Sequence, residues 1–318
     1  MLFLAACGGA KQKPADTSAD ELLAPAPKAK PKSSSLVREA EQLLAKGDAQ
    51  GAHDKFAQAV MADANDVRAQ LGLGLSAEAL GKPDEAEKAY RAAISADTSF
   101  AEAHNNLALL LRDRGDDAGA IEELKEAVRL DPSLASAQAN LALAYEDAGR
   151  TDEAEAAYAK AVQLAPKDAL LRANRALFLI GRGNAEGALA DLRAGLAAAQ
   201  GDRAALVALG NGFRRAGKPD EAVRALNQAI GGGEPTPALL AELALAQVAA
   251  KQEDDAKITL EKALGLDPKY ATAYYVLGSI EADRDPKAAR KHYEKCIALE
   301  PNGPLAAKAK AKLAQLKK

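Results

Sequence analysis

Three asparagines, Asn106, Asn140 and Asn174, recur at intervals of 34 residues, and Asn105 stands beside the first of them. A carboxamide carries a donor and an acceptor side by side, so each can exchange two hydrogen bonds with one exposed peptide unit. A row of them would hold an extended chain whatever its sequence. The competing reading is that asparagine simply fills a surface position, and both readings stand at this stage. Glu102, Arg112, Glu146 and Asp147 lie near the row in sequence. They either select charge on a ligand or form a solvated face. Other chemistry is scarce. The histidines His53, His104 and His292 are far apart, and Cys7 and Cys296 sit near opposite ends, so no metal-ligand spacing and no disulfide framework exists. The sequence has no P-loop, dinucleotide fingerprint, paired catalytic carboxylates or nucleophile elbow. We expect no catalytic residues, no metal and no cofactor.

The elements that must carry these residues are helical. Alanine dominates the 318 residues, aromatics make up 4% and there is no tryptophan. Small residues suit close helix stacking better than a single round core. The formal net charge of -3 provides no basic field for nucleic acid and no acidic tail.

The period of 34 extends far beyond the asparagines. Blocks starting at Ser33, Val67, Ala101, Ala135, Ala169, Arg203, Pro237 and Ala271 align column by column. Column 20 holds Ala52, Ala86, Ala120, Ala154, Ala188, Ala222 and Ala256, and the eighth block joins at Ala289 after a one-residue deletion. Column 8 is always small, from Ala40 and Gly74 to Gly210 and Gly278, whereas column 24 is large, with Phe56, Tyr90, Tyr158, Leu226 and Tyr293 among its members. Apolar spacings of three, four and seven are the helical period. Glycines at column 15, from Gly47 to Gly217, close each first helix. Asp131-Pro132, Ala165-Pro166, Asp267-Pro268 and Glu300-Pro301 end the second helices.

Over residues 33–302 these columns resemble the tetratricopeptide repeat family. The resemblance implies an all-α tetratricopeptide-repeat solenoid, a right-handed superhelix of antiparallel helix pairs, with eight repeats and a C-terminal capping helix over 303–318. It also implies that columns 2, 5, 6, 9, 12 and 13 of the first helices line a groove. Asn105, Asn106, Asn140, Asn174, Glu102, Arg112, Glu146 and Asp147 then become a peptide-binding set, with the amides facing solvent in the free protein. Arg214 and Arg215 continue the charged lining. The terminal-carboxylate clamp of co-chaperones is not matched, because Val37, Leu71, Ala139 and Ala173 occupy column 5.

Departures from the pattern carry their own expectations. Glu39 and Arg175 stand where leucine is usual, and Arg175 is expected to pair with Asp191, sixteen residues on. The run Gly231-Gly232-Gly233 should stop its helix near Ile230 and leave a weak joint between residues 195 and 237. The lysine-rich segment from Pro304 to Lys318 either caps the last repeat or offers a basic contact.

At the front, Leu4-Ala5-Ala6-Cys7 resembles a bacterial lipobox over residues 1–7, with Cys7 as the lipidation site. Residues 8–32, with Pro14, Pro25, Pro27 and Pro31, read as a tether that spans some tens of Å at ~3 Å per residue. A signal peptide needs a longer apolar run than MLFLAA, so a start upstream of Met1 and an incidental cysteine both remain open. The lipoprotein resemblance, with Gly8 after the cysteine, implies a bacterial outer membrane protein facing the periplasm.

The function expected from the sequence is a non-enzymatic scaffold that binds a protein or an extended peptide segment during assembly of an envelope complex. It would be anchored to the membrane by an N-terminal lipid and would not bind nucleic acid. It looks like the tetratricopeptide lipoproteins that act as pilotins or cell-wall adaptors. The alternatives are a cytoplasmic regulatory adaptor, if Met1 is the true start, and an accessory domain of an enzyme on another chain.

Overall fold

The computed structural model describes residues 31–316, with side chains from residue 34. Cys7 and most of the proposed tether lie outside the described residues. Among those described there are seventeen α-helices and no strand. They are α1 (Pro31–Ala45), α2 (Ala49–Ala62), α3 (Val67–Ala79), α4 (Pro83–Ala96), α5 (Ala101–Asp113), α6 (Asp117–Leu130), α7 (Ala135–Asp147) and α8 (Thr151–Leu164) in a first compact unit that ends at Pro166. A second unit, from Lys167, holds α9 (Ala169–Gly181), α10 (Ala185–Ala198), α11 (Arg203–Arg215), α12 (Pro219–Gly231), α13 (Pro237–Ala249), α14 (Glu253–Leu266), α15 (Ala271–Glu281), α16 (Pro286–Leu299) and α17 (Pro304–Gln315). Helix α1 opens at Pro31, two residues inside the stretch assigned to the tether. None of the described helices is long and apolar enough to cross a membrane.

Turn and cap chemistry sets the period. The column-15 glycines Gly47, Gly81, Gly115, Gly149, Gly183 and Gly217 take φ between +70° and +83°, where a side chain would clash with the backbone. Their carbonyl-seeking turns are followed by side-chain caps. Asp48, Asp116 and Asn184 accept from the backbone N–H of Gly51, Gly119 and Gly187. The seventh repeat has no glycine at this point, and Lys251 takes φ +62° in its place.

Within each repeat the first helix packs on the second through paired columns. A Cβ on Gly74 would lie 2.3 Å from Cε1 of Tyr90, and one on Gly210 would lie 2.6 Å from Cγ of Leu226. The large column-24 side chain therefore covers the small column-8 residue, and the ring needs the space. The column-20 alanines, Ala120 and Ala222 among them, are fully buried. Both charged column-7 residues find partners on the second helix. Glu39 accepts from Lys55 Nζ at 2.6 Å. Arg175 Nη1 lies 3.3 Å from Asp191 Oδ2, and Arg172 Nη1 lies 2.8 Å from Asp191 Oδ1.

Helix α12 ends at Gly231, one residue past the expected stop. The boundary between compact units falls after Pro166, outside the stretch 195–237 where a weak joint is expected. Glycines on the α10–α11 seam admit leucines from across it: a Cβ on Gly195 would lie 2.8 Å from Leu209 Cδ2, and one on Gly212 would lie 2.5 Å from Leu192 Cδ2. Arg203 Nη2 also donates to the Glu234 carbonyl across the glycine run. Close packing replaces the leucine that the sequence pattern lacks there. At the far end, α17 buries Leu305, Ala306 and Ala309 and packs on α15 and α16.

Candidate functional site

The residues singled out by the 34-residue period fall on first helices. In the unit ending at Pro166, α5 and α7 lie against each other, brought close by Ala103, Ala137 and Ala139, all buried. Asn105 and Asn106 project from α5 and Asn140 from α7. Asn140 Nδ2 donates to Asn105 Oδ1 at 2.9 Å, and Asn105 Nδ2 donates to Asn106 Oδ1 at 3.2 Å. The three amides form one hydrogen-bonded chain with a direction, an acceptor at the Asn140 end and a donor at the Asn106 end.

The expectation that these amides face solvent is corrected. Asn105, Asn106 and Asn140 are 2%, 6% and 1% exposed. Close approach of the two helices withdraws them from water, and each amide replaces water for its neighbour. The chain is incomplete at one end. Asn140 Oδ1 is buried with no protein partner, as are Ser136 Oγ and His104 Nε2. Ser136 lies one turn before Asn140 on α7. His104 Nδ1 sits 2.7 Å from Glu123 Oε2. A carboxylate only accepts, so Nδ1 carries a proton and donates to it. Ser136 and His104 were missed as site residues because neither belongs to a recurring column of identical residues.

The charged candidates are arranged differently. Glu146 and Asp147 are exposed at the end of α7, whereas Glu102 and Arg112 on α5 are half-buried. Arg112 shares column 12 with Glu78 and Glu146, and two buried tyrosines hold those carboxylates. The Tyr158 hydroxyl donates to Glu146 Oε2 at 2.8 Å, and the Tyr90 hydroxyl donates to Glu78. Burial, then the Glu146 carboxylate, pushes the Tyr158 hydroxyl far above its usual range, with Arg112 opposing. Both tyrosines therefore stay neutral donors, and the carboxylates are positioned from beneath. Asn174 lies on α9 of the second unit, half-buried, and its Oδ1 also lacks a protein partner. In that unit Arg214 Nη2 stands 3.6 Å from Glu242 Oε2. Among the described residues no group of histidine, cysteine and carboxylate side chains could hold a metal ion.

The arrangement can recognise hydrogen-bond donors, and it presents no nucleophile paired with a base. Comparison with known proteins gives the family. The tetratricopeptide repeat model matches residues 37–99, 71–135 and 207–271, and a second tetratricopeptide repeat model matches 135–168. No curated protein matches the chain in sequence. A chain in the crystal structure of the APC/C hetero-tetramer Cut9-Hcn1 is similar in fold, with a TM-score of 0.62 and 18% identity over 89% of this chain and 55% of that one. This chain thus spans about half the length of that relative. Two crystal structures of MamA align at TM-scores of 0.39 and 0.38, with 23% and 24% identity over 63% and 61% of this chain and 91% and 93% of theirs. With its repeats matched over more than half of its length, the chain belongs to the tetratricopeptide repeat family.

Proposed function

We propose that the chain is a non-enzymatic scaffold that holds an extended segment of a partner protein against the first helices α5 and α7. The observation that carries this reading is the open end of the amide chain. Asn140 Oδ1 is an acceptor buried without a partner, and Ser136 Oγ on the same helix and His104 Nε2 on α5 are also buried without one. Burying such atoms unpaired costs about 1–3 kcal/mol each. A partner's backbone N–H removes that cost where binding shifts α5 or α7 enough to uncover Asn140 Oδ1. Contacts of this kind hold a peptide without specifying it, so selectivity falls to Glu102, Arg112, Glu146 and Asp147.

The test is site-specific photo-crosslinking. A benzophenone side chain at Asp147, which is exposed, should capture the partner in extracts of the source cell. The same group at Glu122, exposed on the second helix α6, should not. Capture from Glu122 alone would move the site off the first helices.

The setting we propose is a bacterial envelope, with Cys7 lipidated and the tether reaching from the outer membrane into the periplasm. Support comes from the LAAC tetrapeptide followed by a proline-bearing stretch. Expressed behind its native upstream sequence, the protein should incorporate a clickable palmitate analogue, and Cys7→Ser should not. Equal absence of label in both would leave the cytoplasmic adaptor reading in its place.

A further inference from the structure

We propose that the cleft between α12 and α14 is a second docking site, one that takes a tryptophan side chain of a partner protein. This cleft lies within the second unit, on other helices than the amide chain, and encloses about 660 Å³. Leu240 and Leu243 of α13, both buried, lie in its lining, and Ile230, Ile258 and Leu266 complete the apolar wall. None of the described residues fills it. The glycine run leaves the end of α12 without side chains, and a Cβ on Gly265, also in the lining, would meet nothing within 4 Å.

Two independent observations point to an occupant. Ile258 and Leu266 are 52% and 54% exposed, two of the three large hydrophobic residues so exposed among those described. They stand two turns apart on one helix and both border the cleft. Gln247 also lines the cleft, is only 8% exposed, and buries its Oε1 without a protein partner. The occupant must therefore be apolar in bulk and bring one donor. A leucine or phenylalanine side chain would fill the walls and leave Oε1 bare. A lysine or arginine head would be drawn to Asp255 at the exposed rim and leave Oε1 bare. An indole is a large apolar body with a single N–H and no acceptor. The volume admits the ring together with its flanking residues. Asp255 and Lys262, both exposed at the rim, are placed to meet the backbone on either side. This chain contains no tryptophan, so a second copy cannot supply the anchor.

The same absence makes the test direct, because all indole fluorescence comes from the probe. The probe is the peptide acetyl-Ala-Leu-Trp-Leu-Ala-amide, titrated with the full chain. We expect a saturable blue shift. Ile258→Asp and Leu266→Asp replace exposed side chains, keep the fold by circular dichroism, and should each weaken binding by about tenfold or more. Methylating the indole nitrogen should weaken binding to the unmodified chain by about tenfold, and Gln247→Leu should bind both probes alike. No saturable shift up to about 1 mM probe overturns the proposal. Equal affinity for the methylated probe, or for a peptide with alanine in place of tryptophan, overturns the indole assignment. A concentration-dependent dimer abolished by Ile258→Asp would give the cleft to a second copy and equally overturn it.

Discussion

Arg175 and Arg172 grip the two oxygens of Asp191 from the facing helix, at 3.3 Å and 2.8 Å. Asp191 is 4% exposed, so the guanidinium groups stand where water would otherwise be. Removing the carboxylate takes a partner from two half-buried guanidinium groups at once, whereas removing Arg175 leaves Arg172 in place. We expect Asp191→Ala to cost about 2–4 kcal/mol and Arg175→Ala about 1 kcal/mol, with a coupling of about 0.5–1 kcal/mol between them. Urea unfolding of the double-mutant cycle measures all three. An unchanged midpoint for Asp191→Ala would show that the pair contributes nothing.

Lys251 occupies the turn position that glycine holds in the first six repeats, at φ +62°. The left-handed conformation costs a residue with a Cβ roughly 1–2 kcal/mol. Lys251→Gly should raise stability by about 0.5–1 kcal/mol, part of the relief being offset by the greater freedom of glycine in the unfolded chain. Lys251→Ala keeps the Cβ and should gain little. An equal gain from both variants would place the effect in the lysine charge.

Gly74 and Tyr90 test the paired columns. A Cβ at Gly74 would stand 2.3 Å from the ring, and the ring is fully buried with its hydroxyl on Glu78. Gly74→Ala should cost about 1–3 kcal/mol, and Ala120→Leu, at a fully buried helix crossing, a similar amount. Replacing Tyr90 by leucine in the Gly74→Ala background should recover part of the loss. Thermal unfolding without any such recovery would mean that the clash lies elsewhere.

Glu78 gives a pH signature. Burial raises its carboxyl above the ordinary value of 4.5, the Tyr90 hydroxyl opposes the rise, and Asp113 adds to it. An acid raised on folding stabilises the protein while protonated in both states, and that contribution is lost as pH rises through the folded value. At neutral pH the ionised Glu78 is therefore a cost. Glu78→Gln retains an acceptor for Tyr90, so it should stabilise at pH 7 and make no difference near pH 4. Denaturant midpoints at the two pH values decide it, and a gain of the same size at both would rule out the titration.

Much of the architecture was legible because it repeats. Columns 8 and 24 read as small and large, and the structure supplies the reason in Gly74 beneath Tyr90 and Gly210 beneath Leu226. The Arg175–Asp191 pair was legible from two charges sixteen residues apart, since a helix–turn–helix of this period brings those columns together. Arg172, the nearer partner of Asp191, gave no such signal. Nor did the state of the asparagines. Their spacing announced a row, but spacing carries no information about how far two helices approach.

By itself the sequence determined the helices, their turns, their pairing and the family, because these rest on local steric rules applied again and again at one interval. Glycine at positive φ, alanine at a crossing and proline after a helix each act within a few residues of themselves. Only the tertiary structure decided which polar atoms are left without partners. Asn105 closes on Asn140 from a neighbouring repeat, while Asn140 Oδ1 and Gln247 Oε1 stay unpaired under cover. Likewise, Leu266 shares its repeat column with Leu130 and Leu164, and only the fold shows that it borders an open cleft together with Ile258. Burial and hydrogen-bond satisfaction depend on what every neighbouring helix places at the same point in space, and no single repeat encodes that.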